Sequence, residues 1–377
     1  MTRLKLGMVG GGQGAFIGGV HRIAARIDDQ WDLVAGALSS DPARAQASAA
    51  ELGLDPARSY DSFAAMAQAE AAREDGIDAV SIVTPNYMHS APAVAFLNAG
   101  IHVICDKPLA ATLDQAQAIA DAVEASGKCF ILTHNYTGYP LIRQAREMVA
   151  SGELGEIRVV QVEYAQDWLA EETHNKQADW RTDPERSGAG GCVGDIGTHA
   201  FNLASFVTGL TTDTLAADLD AFVAGRPVDD NVHVMLRFDG GAKGMLWASQ
   251  VAVGNENALR LRVHGTKGGI EWDQENPNVM TFTRFGQPKQ ILTRGGAGSI
   301  AAGARVSRIP PGHPEGYLEG FATIYSEAAA LIRNADQGTP LPDGVHAPTI
   351  GDGLQGMRFI AACIASSKAN GAWTPLG

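Results

Sequence analysis

Cysteine is scarce in this sequence. Cys105, Cys129, Cys192 and Cys363 are the only four in 377 positions. None forms a CxxC pair and none stands near a histidine at zinc-finger spacing, so neither a disulfide framework nor a metal site is expected. Three of them, Cys105, Cys129 and Cys363, sit in apolar stretches and read as buried thiols. Clusters of lysine and arginine are absent as well. The balance is 42 acids against 29 bases, a net charge of -13. Without basic runs, neither nucleic acid nor an anionic membrane surface is an expected partner. No apolar run reaches the roughly 18 residues that a bilayer span needs. A strand-like segment follows Met1-Thr2-Arg3 almost at once, with no secretory pattern, so a cytoplasmic protein is expected. No internal repeat interrupts the chain. What is present is a hydrophobic fraction of 45%, enough for a large core, and a length that suggests two domains.

The first 135 residues alternate short apolar runs with helical patterns. Strands are expected at Leu4 to Val9, Asp32 to Leu38, Asp78 to Val83, Ile101 to Cys105 and Cys129 to Thr133. Between them come helices at Phe16 to Ile27, from Asp41-Pro42 onward, at Ala91 to Ala99 before Gly100, and at Ala116 to Ala125 before Gly127. Asp41 suits an N-cap and Pro42 a first turn. Alternation of this kind implies crossover units and a parallel, doubly wound sheet. Beyond Gly155 the texture changes. Ile157 to Tyr164, Asn231 to Phe238, Ala242 to Val251 and Leu259 to His264 alternate in character, which suits an open, largely antiparallel sheet. Two helices, near Gly316 to Asn334 and Gly353 to Ala369, close the chain. Gly295 to Gly303 reads as a mobile loop. The expected fold is therefore α/β throughout. An N-terminal Rossmann domain covers 1–135 and a second α/β domain covers 136–377, its closing helix near 350–370 packing back toward the first.

Directly after the first strand, Gly10, Gly12 and Ala15 fit GxGxxG/A and open a helix. The first glycine permits a tight turn and the second lets backbone approach a pyrophosphate. The small third residue allows close packing of helix on strand, with phosphate at the helix N-terminus. Gln13 and Gly14 in the turn and Phe16 and Ile17 at the helix start would share in this contact. An acid at the end of the second strand would bind a ribose 2′-hydroxyl, but this strand ends Leu38-Ser39-Ser40. The hydroxyls of Ser39 and Ser40 suit either NAD or NADP, and Arg44 could reach a 2′-phosphate. NAD is favoured because no arginine directly follows the strand.

The glycine turn is joined by three further signatures: Thr84-Pro85-Asn86 followed by His89; His102-Val103-Ile104-Cys105-Asp106-Lys107-Pro108; and Gly191-Cys192-Val193-Gly194-Asp195-Ile196-Gly197-Thr198-His199. In this order and spacing, with a tail from Pro348 to Ser367, the chain resembles the Gfo/Idh/MocA oxidoreductases over nearly its whole length. The resemblance implies hydride transfer at the interface of the two domains. It implies that Lys107 matches the lysine of the family's E-K-P motif, with Asp106 where glutamate is usual. Asp195 and His199 match its D-x-x-x-H pair. Thr84, Pro85, Asn86, His89, Asp106 and Lys107 are implied on the cofactor side. Thr137 stands where many members carry arginine, a departure bearing on substrate choice. The stretch Ala15 to Arg22, Trp180-Arg181, and Gly312 to Tyr317 resemble a subgroup that includes inositol dehydrogenases. Scyllo-inositol or a related hexose is therefore the preferred substrate class.

Oxidising a secondary alcohol requires a hydride acceptor, a base for the hydroxyl proton and stabilisation of the developing alkoxide. Histidine suits the base, its reference pKa being about 6.5, and His199 is assigned that role. Asp195, four residues earlier, shares a helical face with it, although Asp195 also suits an N-cap for the helix running to Val207. Lys107 sits at a strand C-terminus, where α/β sheets place ligands, and could polarise the reacting oxygen. Tyr136, Trp180 and Arg181 are candidate sugar contacts, and His313 a candidate lining residue. Two other readings remain open at this point. One is a glycoside hydrolase that uses NAD transiently, and the other is a dinucleotide-binding sensor without turnover. The exposed face of an open sheet calls for cover, so a homo-oligomer, a tetramer or dimer, is expected.

Overall fold

The computed structural model describes residues 2–377. The chain divides into two units. The first runs to Asn135 and takes in Tyr317–Leu354; the second comprises Tyr136–Gly316 and Gln355–Gly377.

In the first unit, β1 (Leu4–Gly10), β2 (Trp31–Ala37), β3 (Ala79–Val83), β4 (His102–Cys105) and β5 (Phe130–Leu132) form a parallel sheet in the order β2-β1-β3-β4-β5. Every residue of β3 and β4 is buried, as a sheet covered on both faces requires. Around the sheet lie α1 (Phe16–Ile27), α2 (Pro42–Glu51), α3 (Phe63–Ala71), α4 (Ser90–Asn98) and α5 (Leu113–Ser126). Local chemistry sets their ends. The Arg44 amide donates to Asp41 Oδ1 at 2.9 Å, so Asp41 caps α2, and α5 stops at Gly127, whose φ is 65°.

A sixth helix, α11 (Tyr317–Gln337), joins this unit. This corrects the expectation that 136–377 forms one continuous domain. The reason is its apolar face: Phe321, Ile324, Tyr325, Ala328 and Ile332 share one core with Val20 and Ala24 of α1 and with Leu4, Leu6 and Trp31. The Trp31 indole N–H donates to the carbonyl of Tyr325 at 2.9 Å.

The second unit holds α6 (Pro140–Ala150), β6 (Ile157–Ala165), α7 (Lys176–Arg181), α8 (Pro184–Ser187) and a π-helical turn, Val193–Gly197, that leads into α9 (Thr198–Thr208). There follow β7 (Thr212–Asp220), β8 (Asn231–Phe238), β9 (Lys243–Ser249), β10 (Ala258–Gly265), β11 (Gly268–Asp273), β12 (Val279–Arg284), β13 (Gln290–Thr293) and α10 (Ala301–Ala304). α12 (Ile350–Lys368) begins in the first unit and ends in the second, and β14 (Thr374–Pro375) is the last strand. The nine strands form one sheet, β13-β12-β11-β10-β6-β9-β8-β7-β14, antiparallel except where β6 meets β9. α9 packs against β6 and α6. On the other side of the sheet Met235 and Met245 stand 53% and 57% exposed. The segment Gly295 to Gly303 contains the start of α10, and the side-chain amide of Gln144 donates to the Gly298 carbonyl at 2.8 Å. It is thus anchored by a tertiary hydrogen bond rather than being the free loop its glycines suggest. No helix among the described residues is long and apolar enough to cross a membrane.

Candidate active site

The strand order reverses between β1 and β3, the point at which open α/β sheets bind ligands. β1 ends in Gly10, whose φ is 79°, and a methyl there would lie 2.9 Å from Thr84 Cγ2. The glycine turn and the Thr84-Pro85-Asn86 segment are therefore in contact. The turn is pinned from behind: the Gly12 amide donates to the Leu38 carbonyl at 3.1 Å and the Gln13 amide to Ser48 Oγ at 3.0 Å. The tight approach of helix to turn falls at Gly18, where a methyl would stand 2.4 Å from Gly11 Cα, and not at Ala15. Ala15 is the N-cap of α1 and has no side-chain oxygen to offer. The first-turn amides at Phe16 and Ile17 are thus uncovered by any cap, and Phe16 is 68% exposed. Such a helix end suits a phosphate, so the residues present fit a dinucleotide. Ser39 Oγ accepts from the Asp41 amide at 3.1 Å and Ser40 is exposed. With Asp41 committed to its cap, the second strand offers hydroxyls to a ribose.

His89 is fully buried. Its Nε2 lies 2.8 Å from the Thr84 carbonyl and its Nδ1 2.8 Å from that of Pro108. It ties the Thr-Pro-Asn segment to the Lys107-Pro108 turn, and burial lowers its pKa against the pull of those carbonyls. Lys107 follows β4 and is partly exposed. Beside it, Asp106 Oδ1 accepts from the Lys107 amide at 3.0 Å and from Thr133 Oγ1 at 2.9 Å, with His21 Nε2 at 3.8 Å. His21 Nδ1 in turn meets Tyr325 Oη at 2.8 Å and Ser81 Oγ at 3.2 Å. Burial by itself would raise the Asp106 pKa. The His21 ring beside it, with the charges of Lys107 and His89, outweighs this and holds the carboxylate below its usual range. The Asp106 carboxylate faces this interior network and braces the turn that carries Lys107. Nearby His134 is kept neutral: burial, then Lys107, pushes its pKa down to about 3.

In the second unit, Asp195 lies in the π turn and His199 in the first turn of α9. Single π turns inside helices recur at functional sites. Asp195 does not cap the helix that follows, contrary to one expectation, since neither the turn nor α9 has a side-chain cap of its own. Its Oδ2 accepts instead from Arg181 Nε at 3.1 Å and Gln250 Nε2 at 2.9 Å. The Arg181 guanidinium lies 4.2 Å from the Trp180 ring centre, which adds a cation–π contact to the ion pair. His199 is 7% exposed, and its ring centre is 4.8 Å from that of Tyr136. Tyr136, 4% exposed, meets Tyr164 hydroxyl to hydroxyl at 2.6 Å. Tyr164 donates to Asn257 Oδ1 at 2.8 Å, and Gln166 Nε2 donates to the same oxygen at 2.7 Å. Burial raises the Tyr136 pKa, partly offset by hydrogen bonds with Tyr164 and Asn257, so the phenol stays protonated.

His313 lies exposed in a loop, its carbonyl accepting from Arg294 Nη2 at 2.5 Å. The buried residue of that signature is Glu315, which accepts from the amides of Arg308 and Ile309 at 2.7 and 3.0 Å. Sequence reasoning overlooked Gln250, Tyr164, Asn257 and His21. Gln250, Tyr164 and Asn257 stand in no motif, His21 stands in the Ala15 to Arg22 stretch without an assigned role, and each meets its partner only through tertiary pairing.

The chain matches two family models. Residues 4–145 match the oxidoreductase family, NAD-binding Rossmann fold, and residues 142–271 match the GFO/IDH/MocA C-terminal domain. The crystal structure of an oxidoreductase from Sinorhizobium meliloti is 56% identical, covers 99% of each chain and superposes with a TM-score of 0.90. An inositol dehydrogenase homologue from Azotobacter vinelandii, solved with NADH and myo-inositol, is 36% identical over 99% of this chain and 98% of its own, with a TM-score of 0.94. Levoglucosan dehydrogenase from Pseudarthrobacter phenanthrenivorans is 28% identical over 99% of this chain and 98% of its own. With both family models matched in order and relatives spanning its length, the chain belongs to the Gfo/Idh/MocA oxidoreductases and carries their NAD-binding Rossmann domain.

Proposed function

We propose that this enzyme oxidises a secondary alcohol of a cyclitol or sugar, scyllo-inositol or a related hexose being preferred, acting in the cytoplasm as a homotetramer or dimer. The observation that carries the reading is the fixed Asp195, gripped on Oδ2 by Arg181 and Gln250 one helical turn before His199. Both the homologue solved with myo-inositol and levoglucosan dehydrogenase support a polyol or sugar substrate. Bound NAD supplies the hydride acceptor. His199 takes the hydroxyl proton, because an imidazole is the side chain whose ordinary pKa lies nearest neutral pH. Asp195 orients the imidazole or accepts from a substrate hydroxyl. The Lys107 ammonium stabilises charge growing on the reacting oxygen. Trp180 and Arg181 offer a stacking face and donors to the polyol, and Tyr136 supports the His199 ring. Ser39 and Ser40 serve the adenosine ribose of either cofactor, and NAD is preferred because no arginine directly follows the second strand.

The test is the absorbance of reduced nicotinamide with purified protein, a panel of inositols and aldoses, and NAD or NADP in parallel. A rise with one cyclitol or sugar and NAD is expected. Cofactor binding without any rise across the panel overturns the reading. Cleavage of glycosides without net NADH would assign the chain to hydrolysis instead.

A further inference from the structure

The turn that carries Asp195 has no cap of its own, yet its leading amides are fully engaged from a distance. The Gly191 amide donates to Asp229 Oδ1 at 2.7 Å and the Val193 amide to Asp229 Oδ2 at 2.7 Å. Between them the Cys192 amide donates to the Asp229 carbonyl at 2.8 Å. Three successive amides therefore end on one residue 36 to 38 positions away. The fit leaves no slack: a methyl on Gly191 would stand 2.2 Å from the Asp229 carbonyl oxygen. The next residue, Asp230, holds Gln250, which grips the Asp195 carboxylate. The Gln250 amide donates to the Asp230 carbonyl at 2.8 Å, while the Gln250 side chain donates to Asp195. Asp230 is itself held, its Oδ1 accepting from the Phe222 amide at 2.9 Å and its Oδ2 from Arg226 Nη1 at 2.9 Å.

We infer that Asp229 is a positioning residue for the reaction: acting as a remote N-cap, it fixes the lead-in of the π turn and so the placement of Asp195 and His199, while Asp230 fixes Gln250 from the same hairpin. The inference rests on the proposed dehydrogenase function. A carboxylate at a helix start is favoured by the dipole and satisfies amides that would otherwise be orphaned. Here that comes at a cost to the fold. Burial raises the Asp229 carboxyl to about 6 in spite of the two amides, and Asp230, Cys192 and Cys363 are the titratable groups around it. A carboxyl raised in the fold contributes stability that is full below its unfolded pKa, near 3.9, and is lost as pH rises through the folded value. At neutral pH the charged clamp is therefore retained against stability, as is common for groups that serve a site.

The experiment is Asp229→Asn in the full-length protein. The amide keeps the shape but can accept from only one of the two N–H groups. Three readouts are compared with wild type: amide hydrogen exchange in peptides spanning 190–199, the affinity for NADH by fluorescence, and turnover on the polyol. Exchange at least tenfold faster, turnover at least tenfold slower, NADH affinity within twofold and an undiminished Tm are expected. Ile270→Ala, which opens a hole in β11 of the same unit, is the control and should lower Tm while leaving turnover per folded molecule intact. Gly191→Ala pushes the same contact apart from the other side and should repeat the faster exchange and the slower turnover per folded molecule, with a lowered Tm. Unchanged exchange in Asp229→Asn overturns the inference. So does a variant that merely loses stability while its folded fraction turns over normally. If wild-type protein oxidises no polyol, the functional reading fails, and the exchange measurement still decides whether Asp229 holds the turn.

Discussion

Gln250 donates through Nε2 to Oδ2 of Asp195 at 2.9 Å, across 55 positions of sequence. With Arg181 on the same oxygen, it limits the rotation of a carboxylate placed one helical turn before His199. A hydrogen bond to a charged group contributes about 1.5–3 kcal/mol. Gln250→Leu is therefore expected to lower kcat/KM about tenfold or more, a factor of ten being about 1.4 kcal/mol. NADH affinity should stay within twofold. Steady-state kinetics beside a fluorescence titration check this, and an unchanged kcat/KM would remove Gln250 from the site.

His199→Ala and Lys107→Met should each leave a folded protein that binds NADH and turns over slowly. A positioned base contributes about 10²–10⁴-fold, so kcat in His199→Ala should fall within that span. Near-normal turnover in either variant would contradict the assigned role.

His134 is neutral in the fold, its pKa pushed down to about 3. An unfolded histidine titrates near 6.5. Its contribution to stability is therefore full above about 6.5 and is lost as pH falls from there toward 3, because the unfolded chain takes up the proton. Asp106, held below the usual carboxylate range, adds to the loss only below about 3.9. Urea unfolding of His134→Gln between neutral pH and pH about 4.5 should show a flatter acid slope than wild type. Parallel slopes would refute the assignment.

Asp41 caps α2 and is not assigned to the ribose. Asp41→Ala should cost about 1 kcal/mol of stability and leave the KM for NAD within twofold. A large rise in that KM, with little loss of stability, would return Asp41 to the cofactor.

The sheet face bearing Met235 and Met245 is expected to be covered by further copies of the chain. Light scattering at micromolar concentration should give the mass of a dimer or tetramer, and Met235→Lys should reduce it. A monomeric mass for the wild type would exclude the oligomer.

The sequence pattern predicts α1 at Phe16–Ile27, the residues it occupies, because a glycine turn and an amphipathic run mark its ends. By contrast α6 was overlooked. It buries Arg143 and Gln144 along with Leu141 and Ile142, so polar and apolar positions no longer separate by face. β7 hides in the same way behind Asp213, Asp218 and Asp220.

Sequence alone determined the order of the parallel strands' elements, the glycine turn and the Asp41 cap, and it singled out Lys107, Asp195 and His199 as the residues proposed to carry chemistry. These depend on periodicity, on backbone freedom at glycine and on motifs that are contiguous in the chain. Only the tertiary structure decided that α11 joins the first unit, that Asp106 faces His21, that Asp195 is gripped by Arg181 and Gln250, and that Asp229 caps the turn before it. Each of those depends on a polar group or apolar face finding its partner tens to hundreds of residues away. A buried hydrogen bond is indifferent to sequence distance once folding has met the entropy of closing the loop between its ends.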